Sequence, residues 1–221
     1  MDLSHPLVKL GGTINWAMFE EQLGRTFDGK TGAPGINTRL MVALLYLVTT
    51  LLYSTLLKRM AVLDVMILAG LYVFRVMAGG VATGIPVSSW LLAFTLFVSL
   101  SLAFLKRFIE VRAVAATVAT QVPGRGYRVD DAGWLHSAGL SSAYLGVLVL
   151  ALYATSADVT RLYTHPERLL VTCPVVLYWA TRTWLLAHRG ELHDDPVVAV
   201  AFDPATYVVL GLSGLTVLLS I

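Results

Sequence analysis

Six long apolar stretches dominate this sequence and restrict what it can fold into. A helix needs about 20 mostly apolar residues to cross a bilayer, so each stretch is a candidate membrane span. Hydrophobic residues make up 57% of the chain and charged residues 14%, against about 25% charged residues in a soluble domain. We therefore predict an all-α integral membrane bundle of about six helices. The stretches are 40–57, 60–79, 87–105, 135–157, 167–187 and 197–221.

The first 39 residues do not share this composition. They are mixed and polar, with turn signals at Gly11-Gly12 and Pro34-Gly35. We predict a soluble N-terminal segment over 1–39 and a membrane domain over 40–221. The net charge of +2 does not favour nucleic acid as a partner, and the chain has one cysteine, which excludes an intrachain disulfide.

The loop charges predict how the bundle is oriented. Loops 58–59 and 106–134 are rich in Lys and Arg, whereas loop 80–86 has no charged residue. The positive-inside rule places these two basic loops and loop 188–196 in the cytoplasm, and the carboxyl terminus outside. We expect a multi-pass membrane protein. The basic residues of 1–39 would then lie outside, which suggests that a complete protein has further helices upstream.

Two ionisable residues lie inside the second stretch. Asp64 and Arg75 are eleven residues apart, which places them on one helix face at about 16 Å. Charged groups within a span usually face a cavity or the bundle interior, so both are candidate binding residues. The alternative is that Asp64 lies near the membrane surface and Arg75 bonds the carbonyls of a neighbouring helix.

A second group of charges lies at the cytoplasmic end of the third stretch. Lys106, Arg107 and Glu110 are spaced three and four residues apart and share one helix surface. Two cations beside a carboxylate suit a phosphate or a magnesium pyrophosphate. The alternative is that the two basic side chains only anchor the helix end.

Two charged loops could add ligands. The loop PGRGYRVDD at 123–131 could close over an anionic substrate with Arg128, and Asp130 and Asp131 could contact metal. A solvated loop is the alternative. In HRGELHDDP at 188–196, His188 and His193 are five residues apart, which is a weak metal signal.

Several segments together resemble the UbiA superfamily of intramembrane prenyltransferases, in particular the bacterial branch similar to polyprenyl-phosphate phosphoribosyltransferases. The resemblance runs from near Val48 to the end of the chain. The segments that carry it are YSTLLKRMAVLDVMILAGLYVFRVMAGGVATGIPVSSWLLAF at 53–94, FVSLSLAFLKRFIEVRA at 97–113, GRGYRVDD at 124–131 and WLLAHRGELHDDPVV at 184–198.

The resemblance implies a fold and a chemistry. The family fold has nine spanning helices around a cavity open to the cytoplasm, and this chain resembles the last six. The family binds an isoprenoid and a phosphate group held by Mg²⁺ between two acidic motifs. The resemblance implies that Lys106, Arg107 and Glu110 belong to the second motif region. It also implies that Lys58, Asp64 and Arg75 line the cavity.

The first acidic motif, Asn-Asp-x-x-Asp, is expected before Tyr53, but the chain contains no Asn-Asp pair. Residues 5–47 instead resemble the start of an insertion-sequence transposase. We interpret the chain as a fusion near Leu47 of a transposase start with the rear of a UbiA-type protein.

The predicted function is the transfer of a prenyl or phosphoribosyl group, with membrane lipid, a polyprenyl phosphate or diphosphate and phosphoribosyl pyrophosphate as partners. The missing motif predicts little or no activity. The alternatives are a non-catalytic membrane remnant and a small transporter.

Overall fold

The computed structural model describes residues 38–83, 85–115, 122–192 and 196–221, so the predicted soluble segment lies outside the described residues apart from Thr38 and Arg39. The regular structure of these residues is helical throughout. The α-helices are α1 (Thr38–Thr55), α2 (Leu63–Thr83), α3 (Ser89–Ala115), α4 (Ala132–Ala154), α5 (Ala157–Leu162), α6 (Thr172–Arg189), α7 (Pro196–Phe202) and α8 (Pro204–Ser220). Short 3₁₀ turns cover Leu57–Arg59, Val129–Asp131 and Pro166–Val171.

Four helical stretches within the described residues are long and apolar enough to cross a membrane: Leu63–Gly80, Ser89–Ala115, Val129–Ala154 and Pro166–Arg189. The apolar parts of the first and last helices, Leu44–Thr55 and Pro204–Ser220, are shorter. The all-helical architecture, with helices apolar and long enough to cross a membrane, is therefore confirmed, whereas the number of spans stays a prediction.

The sixth apolar stretch is not one helix. It is divided at Asp203, where α7 ends and α8 begins. Pro204 has no N–H to continue the helical ladder, and the Asp203 carboxylate accepts a hydrogen bond from the N–H of Ala205 as the N-cap of α8. Local chemistry thus explains why the predicted span 197–221 is interrupted at this point.

The described helices pack around α3. This helix lies against α2 and α4, α4 also packs on α6, and α6 packs on α8. The core between α3, α4 and α6 contains Phe104, Phe108, Leu135 and Trp184, all of them buried. The most central helix is therefore also the one that carries Arg107.

The loops gather at two ends of the bundle. At one end, Arg112 of α3 donates to the backbone carbonyl of His188 at 2.8 Å, and the backbone of Gly126 packs on that of Arg59. At the other end, Thr164 donates to the terminal carbonyl of Ile221 at 2.6 Å, and Arg168 donates to the carbonyl of Leu219. The loops that the charge pattern assigned to the cytoplasm share the first end, while the carboxyl terminus lies at the second.

Gly190 ends α6 at the first of these ends. Its φ of 77° is left-handed, and its N–H bonds the carbonyl of Ala187 while the next amide bonds that of Leu186. This is the usual glycine termination of a helix, and it fixes where the loop after His188 departs.

Candidate functional site

Arg107 is the centre of a buried ion-pair cluster. Only 1% of the residue is exposed, although a guanidinium is costly to remove from water. Its Nε donates to Asp64 Oδ2 at 2.6 Å and one terminal nitrogen donates to Glu110 Oε2 at 2.6 Å. The other terminal nitrogen donates to the hydroxyl of Tyr53 at 3.1 Å. Three helices, α1, α2 and α3, thus contribute to one group.

Asp64 is fully buried in the first turn of α2. Besides the bond from Arg107, its Oδ1 accepts from the hydroxyl of Tyr127 at 2.7 Å and from the N–H of Val65 at 2.7 Å. An anion at a helix N-terminus also has a favourable interaction with the helix dipole. Both carboxylate oxygens are therefore engaged, which makes this burial affordable in free energy.

Tyr127 joins this carboxylate to the turn before α2. Its hydroxyl accepts the N–H of Val62 at 2.8 Å and donates to Asp64. Burial, followed by the hydrogen bond to Asp64, raises the pKa of Tyr127 above its usual value near 10. The phenol therefore remains a neutral donor across the physiological range.

The backbone around Tyr127 is closely fitted and locally strained. Val62 has a φ of 69°, an outlier for a β-branched residue. A Cβ at position 126 would lie 2.5 Å from the carbonyl oxygen of Arg59, so only glycine allows the loop to approach this closely. Strain of this kind persists where the surroundings over-determine the conformation, as the Val62–Tyr127 hydrogen bond does here.

A second guanidinium lies at the open side of the cluster. Arg125 Nε lies 3.7 Å from Glu110 Oε2, and a terminal nitrogen of Arg125 donates to the Tyr53 hydroxyl at 3.3 Å. Arg125 and Glu110 are partly exposed, with 21% and 30% of their side chains accessible. Two cations and two carboxylates balance in charge, and water reaches the cluster from this side.

The structure brings some of the predicted site residues together and separates others. Asp64, Arg107 and Glu110 converge as expected. Lys106 is half-buried next to Arg107, and Lys58 is half-buried in the turn that contacts Gly126. Binding roles for these two lysines stay predictions.

Arg75 does not join the cluster. It donates to the Tyr46 hydroxyl of α1 at 2.7 Å, and its guanidinium lies 5.0 Å from the ring centre of Tyr72. Asp64 and Arg75 therefore have different neighbours along α2. Arg75 is stabilised by tyrosines instead of by a carboxylate.

The structure does not bring the predicted metal ligands Glu110, Asp130 and Asp131 into one group. Asp131 accepts the N–H of Arg128 at 2.8 Å and caps the turn Val129–Asp131, while Glu110 is paired with arginines. Within the ranges that the structure describes, no group of three or more His, Cys, Asp or Glu side chains could hold a metal. Mg²⁺ binding therefore stays a prediction, since this ion commonly needs only one or two carboxylates in addition to substrate phosphates and water. His193, Asp194 and Asp195 lie outside the described residues.

Sequence reasoning did not single out Tyr127 as a site residue. Its only signal is an aromatic side chain within a glycine-rich charged loop, GRGYRVDD, where a solvated loop would not need one. Its partner Asp64 is 63 positions away, so the pairing depends on the tertiary fold.

A second ion pair lies where the sixth stretch is broken. Arg182 of α6 donates to Asp203, which also caps α8. Here 31% of the arginine side chain and 19% of the aspartate side chain are exposed. A small cavity beside the pair is lined by Thr183, Leu192, Val200 and Phe202.

Comparison with known proteins separates the two parts of the chain. Residues 1–55 match a transposase domain (DUF772), and α1 lies entirely within this match. The expected transposase-like start is thus confirmed, and it extends eight residues beyond Leu47. The match ends just before the turn Leu57–Arg59.

The similar proteins that align with longer parts of the chain are not described as transposases. The protein y4nM of Sinorhizobium fredii is 37% identical over 185 residues, which cover 80% of this chain and 36% of the relative. The nodulation protein NoeC of Azorhizobium caulinodans is 32% identical over 172 residues, covering 76% of this chain and 55% of the relative. The decaprenyl-phosphate phosphoribosyltransferase of Mycobacterium tuberculosis is 38% identical over 79 residues, 36% of this chain and 26% of that enzyme.

These alignments complement the transposase match. The two longer ones cover 80% and 76% of this chain, so they must include most of the residues beyond 55 even if they also include all of the transposase match. The chain spans about a third and about half of the length of these two relatives. It therefore joins a transposase-like N-terminus to a helical membrane region that has NoeC-like homologues and a partial similarity to decaprenyl-phosphate phosphoribosyltransferase.

Proposed function

We propose that this chain is a UbiA-type intramembrane transferase, which moves a prenyl or phosphoribosyl group with a polyprenyl phosphate or diphosphate as substrate. It would act at the cytoplasmic face of a bacterial inner membrane, which it crosses several times. The partial similarity to decaprenyl-phosphate phosphoribosyltransferase and the apolar helices support this proposal.

The observation that carries the proposal is the buried Arg107 cluster. Asp64 and Arg107 form an ion pair inside helices that are apolar and long enough to cross a membrane, and Tyr127 donates to Asp64. Ionisable groups at such positions are costly and usually belong to a substrate or ion path. The cluster opens toward water at Arg125 and Glu110, at the end of the bundle that the charge pattern assigns to the cytoplasm.

The side chains suit the departure of a phosphate or pyrophosphate. Arg107 and Arg125 supply positive charge where negative charge develops on the leaving group, and a preorganised guanidinium is most effective where water is scarce. Asp64, Tyr127 and Glu110 orient these cations. An isoprenoid chain would lie among the apolar helices, for example along the groove of about 400 Å³ between α1 and α2.

Low activity is part of this proposal. A family enzyme holds pyrophosphate between two acidic motifs, and the sequence has no Asn-Asp pair for the first of them. We also propose a second candidate, a non-catalytic membrane protein with the same bundle. It is favoured by the engagement of Arg107 within the protein, because each of its three nitrogens already donates one hydrogen bond to an oxygen of the protein.

A transfer assay tests both candidates. The full chain, reconstituted in vesicles containing decaprenyl phosphate, is supplied with labelled phosphoribosyl pyrophosphate and Mg²⁺. We expect transfer well below about 1 per second, a common lower value for enzymes, and its loss in Arg107→Ala. The matched control is Arg189→Ala, since Arg189 is a largely exposed arginine at the same end of the bundle.

The outcomes separate the candidates. Saturable binding of the lipid phosphate without transfer supports the non-catalytic candidate. Neither binding nor transfer, or equal activity in wild type and Arg107→Ala, contradicts the transferase.

A further inference from the structure

Two histidines from different helices lie together outside the Arg107 cluster. His136 is in the second turn of α4, and His188 is in the last turn of α6. Their ring centres are 5.3 Å apart, and the ring planes are inclined by 65°. His136 is half-buried and His188 is exposed, so water and small ions reach the pair from the end of the bundle.

The ring nitrogens of this pair have no hydrogen-bond partner in the part of the protein that the structure describes. His136 contacts other rings only: its centre lies 5.5 Å from that of Phe108 and 5.4 Å from that of Trp184. Arg112 donates to the backbone carbonyl of His188 and not to either imidazole. A half-buried imidazole normally pairs its nitrogens, and here those nitrogens are available as ligands.

The separation of the rings suits one shared metal ion. Imidazole nitrogens bind Zn²⁺ at about 2.0–2.1 Å, and a tetrahedral angle between two such ligands places their ring centres about 5 Å apart. The observed 5.3 Å agrees with this separation. The two histidines belong to helices that pack on each other, so the folded bundle itself sets the distance.

The donor set determines which ions fit. Two neutral imidazoles suit Zn²⁺, Ni²⁺ or Cu²⁺, whereas Mg²⁺ and Ca²⁺ require oxygen ligands. Among the described residues no third His, Cys, Asp or Glu completes a cluster, so water would fill the remaining positions. The positive charge of the nearby Arg112 guanidinium repels a bound metal cation. We therefore expect a moderate affinity for the ion.

We propose that His136 and His188 form a two-histidine site for a divalent transition-metal ion, which links α4 to α6. This site is separate from the Arg107 cluster and does not depend on the transferase function. The competing explanation is that His136 only fills space between Phe108 and Trp184.

Tryptophan fluorescence provides a direct measurement, because the Trp184 ring adjoins His136. The full chain, purified without a polyhistidine tag and freed of metal by a chelator, is titrated with Ni²⁺. We expect saturable quenching with one bound ion per chain, and loss of this quenching in His136→Ala and in His188→Ala. His165→Ala is the matched control, since His165 is an exposed histidine near the carboxyl terminus.

Phenylalanine variants separate ligation from packing. His136→Phe and His188→Phe keep an aromatic ring at each position, so they retain the ring contacts but not the ligands. We expect both to fold and to lose Ni²⁺ binding, and Zn²⁺ to raise the thermal unfolding temperature of the wild type alone. Non-saturable Ni²⁺ binding in the wild type would overturn the proposal. Ni²⁺ binding that survives in the alanine or the phenylalanine variant of either histidine would overturn it as well.

Discussion

Two arginine–aspartate pairs in this protein share one design but differ in burial. In both, the aspartate lies at the start of a helix, and the arginine comes from a neighbouring helix. The Arg107–Asp64 pair is almost fully enclosed, whereas Arg182 and Asp203 remain partly exposed. A buried pair depends on every partner that the fold supplies, since water cannot replace one that is lost. The partly exposed pair has water as a substitute.

Removing Arg107 should have the largest effect. Arg107→Ala leaves the Asp64 carboxylate buried without its cation, which costs about 3–5 kcal/mol in other buried pairs. We expect a loss of that size in the free energy of unfolding, measured in mixed micelles with a denaturant. Arg189→Ala should change it little, and an equally small effect of Arg107→Ala would show that the cluster is not as enclosed as its geometry indicates.

Removing the Tyr127 hydroxyl should have the next largest effect. Tyr127→Phe deletes one donor to Asp64 and one acceptor for the Val62 amide, and a buried group left unpaired costs about 1–3 kcal/mol. The same unfolding measurement checks this loss. The exposed Tyr178 gives the control Tyr178→Phe, which should be neutral.

The alkaline pH dependence should come from the same residue. The folded state holds the phenol proton of Tyr127 more tightly than the unfolded chain, because its pKa is raised. This contribution to stability is complete below about pH 10, the unfolded value, and is lost as the pH rises through the folded pKa. Unfolding temperatures should thus fall more steeply above pH 10 in the wild type than in Tyr127→Phe. Parallel curves would contradict the raised pKa.

Removing Arg182 should have a smaller effect. Arg182→Ala breaks a partly exposed pair, and such pairs contribute about 0–1 kcal/mol. Asp203 keeps its hydrogen bond to the Ala205 amide, so α8 should retain its N-cap. If Arg182→Ala proves as costly as Arg107→Ala, burial does not explain the difference between the two pairs.

The smallest expected change is a gain in the free energy of unfolding, on substitution of Val62. Val62→Gly relieves a left-handed backbone conformation, but it adds chain entropy to the unfolded state, so we expect a stabilisation of about 1 kcal/mol or less. Val62→Ala keeps the unfavourable conformation and should not stabilise. Similar unfolding free energies for the two variants would remove the argument for strain.

The sequence predicts the bodies of the helices well and their ends poorly. Apolar length alone locates the third stretch, but α3 continues from the predicted end at 105 to Ala115. The charges after residue 105 suggested a helix end at water, yet Arg107 turns inward to Asp64 instead. Whether a charged side chain faces a partner or the solvent depends on the neighbouring helix, which a single sequence does not reveal.

The candidate site shows the same limit. Asp64, Arg107 and Glu110 could be nominated because charged groups in apolar stretches are rare. The partners Tyr53 and Tyr127 could not be assigned, since tyrosines at helix ends and in loops are common. The separation of Arg75 was equally hidden, because it depends on where Tyr46 of α1 lies.

The single hydroxyl of Tyr127 ties together two distant parts of the chain. It accepts the Val62 amide and donates to Asp64, so the loop around Tyr127 cannot lift away without exposing both groups at once. The hydrogen of the Val62 amide should therefore exchange with deuterated solvent mainly when the whole loop departs. The exchange rate of this amide then measures how often this end of the bundle opens.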